Sequence, residues 1–420
     1  MKNIIGDVAK AFITVLLFSI AGYLLLTLAY CIPVDGRMSD NVAKSALMIE
    51  EEGDYPTLMD NYNSRLDNWT DTIMILEASN NSEAIPFIAS LSSKWRTGNG
   101  IYPVESMLAQ YVDGYEAPMG FRNESYARYW HGYLIVLKPL LWLFNYGTVR
   151  SFICFVEVLL IGLIIMELCR KKMNWLVIPF ILLFFFLNPV SVMLSLQYCW
   201  VTIIMLLGVY ILLKYRIEGK YLKFYFVLLG CLTSYFDLLT FPLITLTIPL
   251  IFYLLTSTES NLKDVVLKVI ELSFFWAFGY GVNWVMKWIL SSLITGDNVI
   301  MDGISAVANR SGNENMGEHI NYVMTLIRNL GCSLQIPWLI PVVGYIVLYI
   351  KKFAKHKNNI INILVPLLIV GLYPFMWSFV VSNHTFTHCM FTFRIFGTCV
   401  FAFTAYISLY LNTIKSIEEN

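Results

Sequence analysis

Ten apolar runs, each close to the length of a membrane-crossing helix, constrain this chain more than any other feature. They lie at 11–32, 151–169, 174–190, 198–214, 222–240, 242–257, 267–292, 334–350, 360–381 and 396–413. A spanning helix needs roughly 20 such residues. Hydrocarbon offers backbone N–H and C=O groups no partner, so the runs must fold as helices. The expected fold is an all-α polytopic membrane protein with about ten transmembrane helices. Residues 1–32 supply the first, 151–413 the remaining bundle, and 414–420 a short tail. Only 14% of the residues are charged, against about 25% in soluble domains. The first run is too long for the apolar core of a cleaved signal and lacks a small-x-small cleavage site, so it reads as a retained anchor.

Residues 33–150 break the pattern. This insert of more than a hundred residues is rich in Asp, Glu, Asn, Trp and Tyr. It reads as one long loop between the first and second spans, with amphipathic helices lying on the membrane or on the bundle. Residues 40–52 form one such helix, with Val42, Ala46 and Leu47 on one side; residues 67–78 form another. Ile73, Leu76 and Phe87 are too sparse for a core of the loop's own. From Tyr126 the texture turns aromatic and basic, YARYWHGYLIVLKPLLWLFNYGTVR, broken by Pro139. This is an interfacial or re-entrant helix returning the chain to the bilayer.

Lys and Arg in short loops set the orientation. Clusters at 170–172, 214–223, 263–268 and 351–357 fall on one side of a ten-span chain, together with Lys2, Lys10 and Lys415. That side is expected to be cytoplasmic, with both termini on it. The insert, the segment 293–333 and the loop 382–395 are then extracytoplasmic. With 29 basic and 29 acidic residues, no overall charge points to nucleic acid. The eight cysteines form no CxxC pair; they read as small buried hydrophobes, without a disulfide framework or zinc site.

Ionisable groups at membrane depth are costly unless paired or wet, and mark function by default. Several collect towards the outer side: His131 and Arg128 where the insert meets the bilayer, Asp237, Lys287, and His384, His388 and Arg394 in SNHTFTHCMFTFR. Arg forks onto phosphate oxygens, and His can donate beside it. His384 and His388 share a helix face, but no third metal ligand is evident. A divalent metal is possible without being indicated, and no cofactor is implied. In the insert, RLDNWTD sets Asp67 and Asp71 four apart, on one face of a helix. Two close carboxylates leave one ionised and able to take a proton from a hydroxyl; Asp67 also suits the helix N-cap. Asp35 and Asp40 follow the first span. P-loop, GxSxG and HExxH motifs are absent.

Together, a long outer loop with acidic residues after helix one and a multi-span bundle behind it resemble the glycosyltransferase C superfamily. The segments RLDNWTD, YWHGYLIVLKPLLWLF, YFDLLTFP and NHTFTHCMFTFR carry the same texture as bacterial membrane proteins of cell-surface polysaccharide assembly. The resemblance implies an inverting transferase in the plasma membrane. It would move a sugar from a polyprenyl-phosphate carrier to an extracytoplasmic glycan acceptor, with a loop carboxylate as base. The base stays open between Asp35, Asp40 and the Asp67/Asp71 pair. Arg394 with His388 or His384 would hold the phosphate, while His131, Asp237, Lys287 and Arg128 would line the sugar cavity. The Asp-Asp or Asp-Glu pair common after helix one is absent, as is Trp-Trp-Asp. The alternatives are a transporter or flippase of a lipid-linked or small solute, and a polysaccharide polymerase or ligase. The latter would use the late outer segment with Asp297, Asp302, Arg310, Glu314, Glu318 and His319.

Overall fold

The computed structural model describes residues 2–418 except 60–61, 83, 216, 258–260, 313, 316–317, 335–338 and 356–360. Of the basic clusters, Arg216, His356 and Lys357 lie outside the described residues, as do the last two residues of the tail. The chain is mainly helical. Helix α1 (Lys2–Tyr30) is followed in the insert by α2 (Gly36–Glu52), α3 (Asn68–Ala78), α4 (Pro86–Ala89), α5 (Pro103–Tyr111) and α6 (Leu134–Leu143). Next come α7 (Tyr146–Arg170), α8 (Val177–Leu187), α9 (Pro189–Leu194), α10 (Leu196–Tyr215), α11 (Lys220–Phe236) and α12 (Ile244–Thr256). Then follow α13 (Leu262–Thr295), α14 (Val299–Ser311), α15 (Tyr322–Ser333), α16 (Leu339–Lys355) and α17 (Ile361–Val380). The last elements are α18 (Ser382–Thr387), α19 (Cys389–Thr392) and α20 (Gly397–Glu418).

Among the described residues, six stretches are long and apolar enough to cross a membrane: Ile5–Tyr30, Tyr146–Arg170, Leu196–Tyr215, Leu262–Thr295, Asn362–Val380 and Cys389–Thr413. Shorter apolar helices cover Leu134–Leu143, Asn174–Leu187, Ile244–Thr256 and Leu339–Tyr349. The chain is thus a multi-pass helical membrane protein. The expected run 222–240 stops at Phe236, because Asp237 folds back onto Thr240 in a tight turn.

The bundle is held together where backbones approach most closely. A Cβ on Gly230 would sit 2.2 Å from the Trp276 carbonyl oxygen, and one on Gly279 2.2 Å from that of Val227. Small residues at facing positions let α11 and α13 touch backbone to backbone, the usual means of helix association in lipid. At the start of these two helices Lys223 pairs with both Asp7 and Glu271, at 2.8 and 2.6 Å.

The insert is well built. Asp35 caps α2 by accepting from Met38 N, and Asp67 caps α3 by accepting from Thr70 N. Helix α2 buries Met38, Val42, Ala46 and Ile49, while Leu47 faces outward. A two-stranded antiparallel sheet, β1 (Lys94–Gly98) with β2 (Phe121–Ser125) across α5, was not expected from the sequence. The insert shares its core with the bundle: Met74, Leu76, Met107 and Trp130 pack in one cluster with Tyr23 and Leu26 of α1, Tyr235 of α11 and Trp288 of α13. The insert supplies most of this core itself, and the bundle completes it.

Candidate functional site

At the end of α13 remote from Glu271, the insert, α14 and the α18–α19 segment converge on two adjoining cavities that share Arg310. One, of about 380 Å³, is polar and is lined by Arg128, Arg310, Glu314, Asn309, Asn383, Thr387, His384 and His388. The other, of about 200 Å³, is apolar and is lined by Tyr280, Trp284, Trp288, Trp377, Val307, Val381 and Leu239. A concave apolar surface with a few convergent polar groups is the general form of a small-ligand site.

Helix α13 builds the apolar wall by spacing alone. Trp276, Tyr280, Trp284 and Trp288 recur every fourth residue, so they share a face. Their rings follow one another at 5.0, 5.9 and 6.0 Å between centroids. Trp377 on α17 closes the trough, 6.3 Å from Tyr280.

The turn 126–131 carries the insert's contribution. Its frame is fixed from three sides. His131 Nε2 donates to the Tyr126 carbonyl at 2.7 Å, Trp288 Nε1 to the Arg128 carbonyl at 2.9 Å, and Trp130 Nε1 to the Asn283 carbonyl at 2.8 Å. Gly132 N donates to the Tyr235 carbonyl at 2.8 Å, and a Cβ there would fall 2.1 Å from the Tyr235 ring. The turn holds Arg128 against the Tyr126 and Tyr129 rings, with Asp302 of α14 at 3.4 Å. Arg310 lies over the Tyr129 ring and donates to its hydroxyl. One tyrosine therefore orients both arginines.

The two histidine rings lie 4.7 Å apart. His384 Nε2 donates to the Leu239 carbonyl at 2.6 Å, and Leu239 sits in the left-handed region at φ +67°. His388 stacks on Phe391. Burial, with Arg310 close by, pushes His388 down to about 4 and His384 well below the usual histidine range. Both rings are neutral near pH 7, so the fixed positive charge is that of the arginines.

Four buried donors around the cavities have no hydrogen-bond partner among the described residues: Arg310 Nη1, Arg128 Nε, Tyr280 OH and Trp284 Nε1. Buried polar atoms are rarely left so. That all four can donate suits a ligand rich in acceptor oxygens.

The structure brings three sequence candidates, Arg128, His384 and His388, onto one wall and sends the others elsewhere. Asp35 is exposed, capping α2 and accepting from Trp142 Nε1 at 3.1 Å. Asp40 is exposed on the same helix. Asp67 and Asp71 are buried. Burial pushes their carboxyls up to about 7 and about 6. Asp71 accepts from Tyr146 OH at 2.6 Å, Leu196 N at 2.8 Å, Gln197 N at 2.9 Å and Ser195 Oγ at 3.3 Å. It caps α10 from another part of the chain, and its lone pairs are taken.

Arg394 is wholly buried, donating to the Leu187, Met390 and Asn63 carbonyls and to Ser191 Oγ. It ties the insert to the bundle and lines neither cavity. Lys287 is spent on the Leu91 carbonyl at 3.0 Å, and Asp237 on Thr240. His131 Nδ1 pairs at 2.8 Å with Glu77, which also accepts from Tyr133 OH at 2.5 Å.

Glu77 was missed, although a lone glutamate closing the apolar TIMIL run of α3 was a visible sign. The aromatic ladder of α13 was also missed, and its period of four was legible. Arg310 and Glu314 were noted only for the late outer segment. Among the described residues no three His, Cys, Asp or Glu side chains group as a metal site. No protein-family model, curated protein or solved structure matches this chain.

Proposed function

We propose that this chain is an inverting glycosyltransferase of the plasma membrane, using a polyprenyl-phosphate-linked sugar on the outer side. One observation carries the reading: Arg310 belongs at once to a cationic cleft and to an aromatic trough. An isoprenyl phosphate has that same division, an acceptor-rich anion joined to a flat, unsaturated hydrocarbon. Arg128 and Arg310 take the phosphate through charge-assisted hydrogen bonds. Trp284, Trp288 and Tyr280 take the first isoprene units, leaving the rest of the chain in the bilayer.

The chemistry needs little more. An acceptor hydroxyl attacks the anomeric carbon from the face opposite the phosphate. The bond from that carbon to the phosphate oxygen breaks, its electron pair leaves with the prenyl phosphate, and the hydroxyl proton passes to a carboxylate. Donors preorganised where negative charge develops lower such a barrier, and the arginines stand there. Glu314 is the carboxylate on the cleft wall, and we assign it the proton in place of the insert aspartates, of which Asp35, Asp67 and Asp71 serve helix caps and Asp40 is exposed on α2. Asn309, Asn383 and Thr387 offer polar groups for the acceptor. The same-side placement of the insert, α14 and α18 supports an outward site, since the basic loops favour the other face as cytoplasmic.

The test is purified protein given a panel of prenyl-phosphate sugars and a glycan acceptor, with release of prenyl phosphate measured. Release is expected from at least one donor, lost in Arg310→Ala and lowered by about 10²–10³ in Glu314→Gln. Failure of wild type to bind any prenyl phosphate would overturn the reading.

A further inference from the structure

The cleft contains more than the reaction requires. A sugar phosphodiester carries one negative charge, and two arginines suffice for it. The leaving prenyl phosphate is a monoester whose second ionisation lies near pH 6, so it departs largely as a dianion. Beside the arginines stand two imidazoles in ring contact, 4.7 Å between centroids, both on the cleft wall.

We propose, building on the transferase reading, that the His384–His388 pair takes up a proton when a phosphomonoester dianion enters the cleft, so that the site distinguishes the leaving lipid phosphate from the sugar phosphodiester. The geometry supports this in three ways. His384 is anchored through Nε2 to the Leu239 carbonyl, which leaves Nδ1 as its proton-accepting atom. His388 is less buried than His384, lines the cleft and stacks on Phe391, so its ring edge can meet the ligand. Both neighbour Arg310, whose unpaired Nη1 places the anion beside them.

The charged groups around the pair set the balance. Arg310 and Asp302 come from α14, Arg128 from the insert turn, Glu314 from β3 (Glu314–Asn315), Asp237 from the end of α11 and Arg328, over Phe386, from α15, and the titratable Cys389 thiol next to His388 meets Cys332 of α15 and Tyr62 of the insert. Asp302 is engaged by Arg128, and Asp237 by Thr240. Arg310 therefore dominates at the rings and keeps them neutral in the empty cleft. A dianion a few ångströms away reverses that field, and at intermediate screening two negative charges outweigh one arginine. The proton enters from solvent, onto His388 first because it is the more exposed.

The consequence is a pH-dependent preference. Affinity for the monoester rises as pH falls from about 8 towards 6, the range in which the ligand stays a dianion. Affinity for a phosphodiester changes little.

The test uses full-length protein in detergent with farnesyl phosphate and its methyl diester as probes. Titration calorimetry at pH 7.5, in buffers of different ionisation enthalpy, reads the protons exchanged. Wild type is expected to take up about one proton with the monoester and close to none with the diester. His388→Gln should lose most of the uptake and bind the monoester about tenfold more weakly, with a much smaller change for the diester. Monoester binding without proton uptake, or full uptake in both His388→Gln and His384→Gln, overturns this inference and leaves the transferase reading standing. Binding of neither probe overturns both. A thermal melt of each variant separates misfolding from loss of the proton site.

Discussion

Arg310 donates to the hydroxyl of Tyr129, a residue 181 positions earlier in the chain. This contact joins α14 to the insert and aims a guanidinium between the polar and apolar cavities. Replacing Arg310 by Ala should weaken farnesyl phosphate binding by about 10- to 100-fold, as loss of charge-assisted hydrogen bonds does. The melting temperature should barely change, because Tyr129 stays packed against Trp284. Binding by tryptophan fluorescence and a melting curve on the same sample check both halves.

Trp284→Ala should weaken farnesyl phosphate by about tenfold and leave inorganic phosphate unaffected, because the side chain lines only the apolar trough. The difference between two ligands sharing an anion isolates the hydrocarbon contribution. Equal losses for both ligands would place the lipid elsewhere.

Asp71→Asn is expected to behave as a structural variant. It weakens hydrogen bonds from Leu196 N, Gln197 N and Tyr146 OH and removes a negative charge at the start of α10. Helix caps of this kind contribute about 0.5–2 kcal/mol. Chemical denaturation should show a loss of that order, with prenyl phosphate affinity unchanged. A normal melting curve with abolished transfer would instead restore Asp71 as the base.

Asp67 and His388 should tilt stability with pH in opposite senses. Burial raises Asp67 from 3.8 to about 7, so the native state binds the extra proton between those values. Its contribution falls as pH rises through that window. Asp67→Asn should therefore gain on wild type from about pH 4 to pH 7. His388 is lowered from 6.5 to about 4. Its contribution is present above 6.5 and is lost as pH falls to about 4, so His388→Gln should gain on wild type in acid. Melting temperatures from pH 4 to 8 decide both signs.

Gly279→Ala should cost about 1–3 kcal/mol by overpacking, because the added methyl meets the Val227 carbonyl at 2.2 Å. Gly281→Ala, two residues on, meets nothing within 4 Å and should melt like wild type. Comparing the two melts tests whether α11 and α13 pack through their backbones.

Local signals in the sequence were good guides to local structure. Asp67 and its DNWT context announced the cap of α3, whereas α6 runs unbroken through Pro139 and ends only at Phe144. Lengths and apolarity announced a multi-pass helical protein. What stayed hidden was which distant group each polar residue would meet. Asp71 looks like half of a carboxylate dyad until α10, 125 residues on, presents its first N–H groups. Arg394 looks like a phosphate ligand until three backbone carbonyls and Ser191 absorb it. Arg310 sits in an ordinary polar stretch, and only the folded chain puts it beside His384 and His388. Burial and long-range pairing, which residue type and spacing do not encode, decided each of these roles.

The most direct test is titration of purified wild type, Arg310→Ala and Trp284→Ala with farnesyl phosphate, following tryptophan emission. Saturable binding by wild type, weakened by each substitution, is the expected result. Wild-type affinity in both variants, or no saturable binding by any of the three, would contradict a lipid-phosphate site at Arg310.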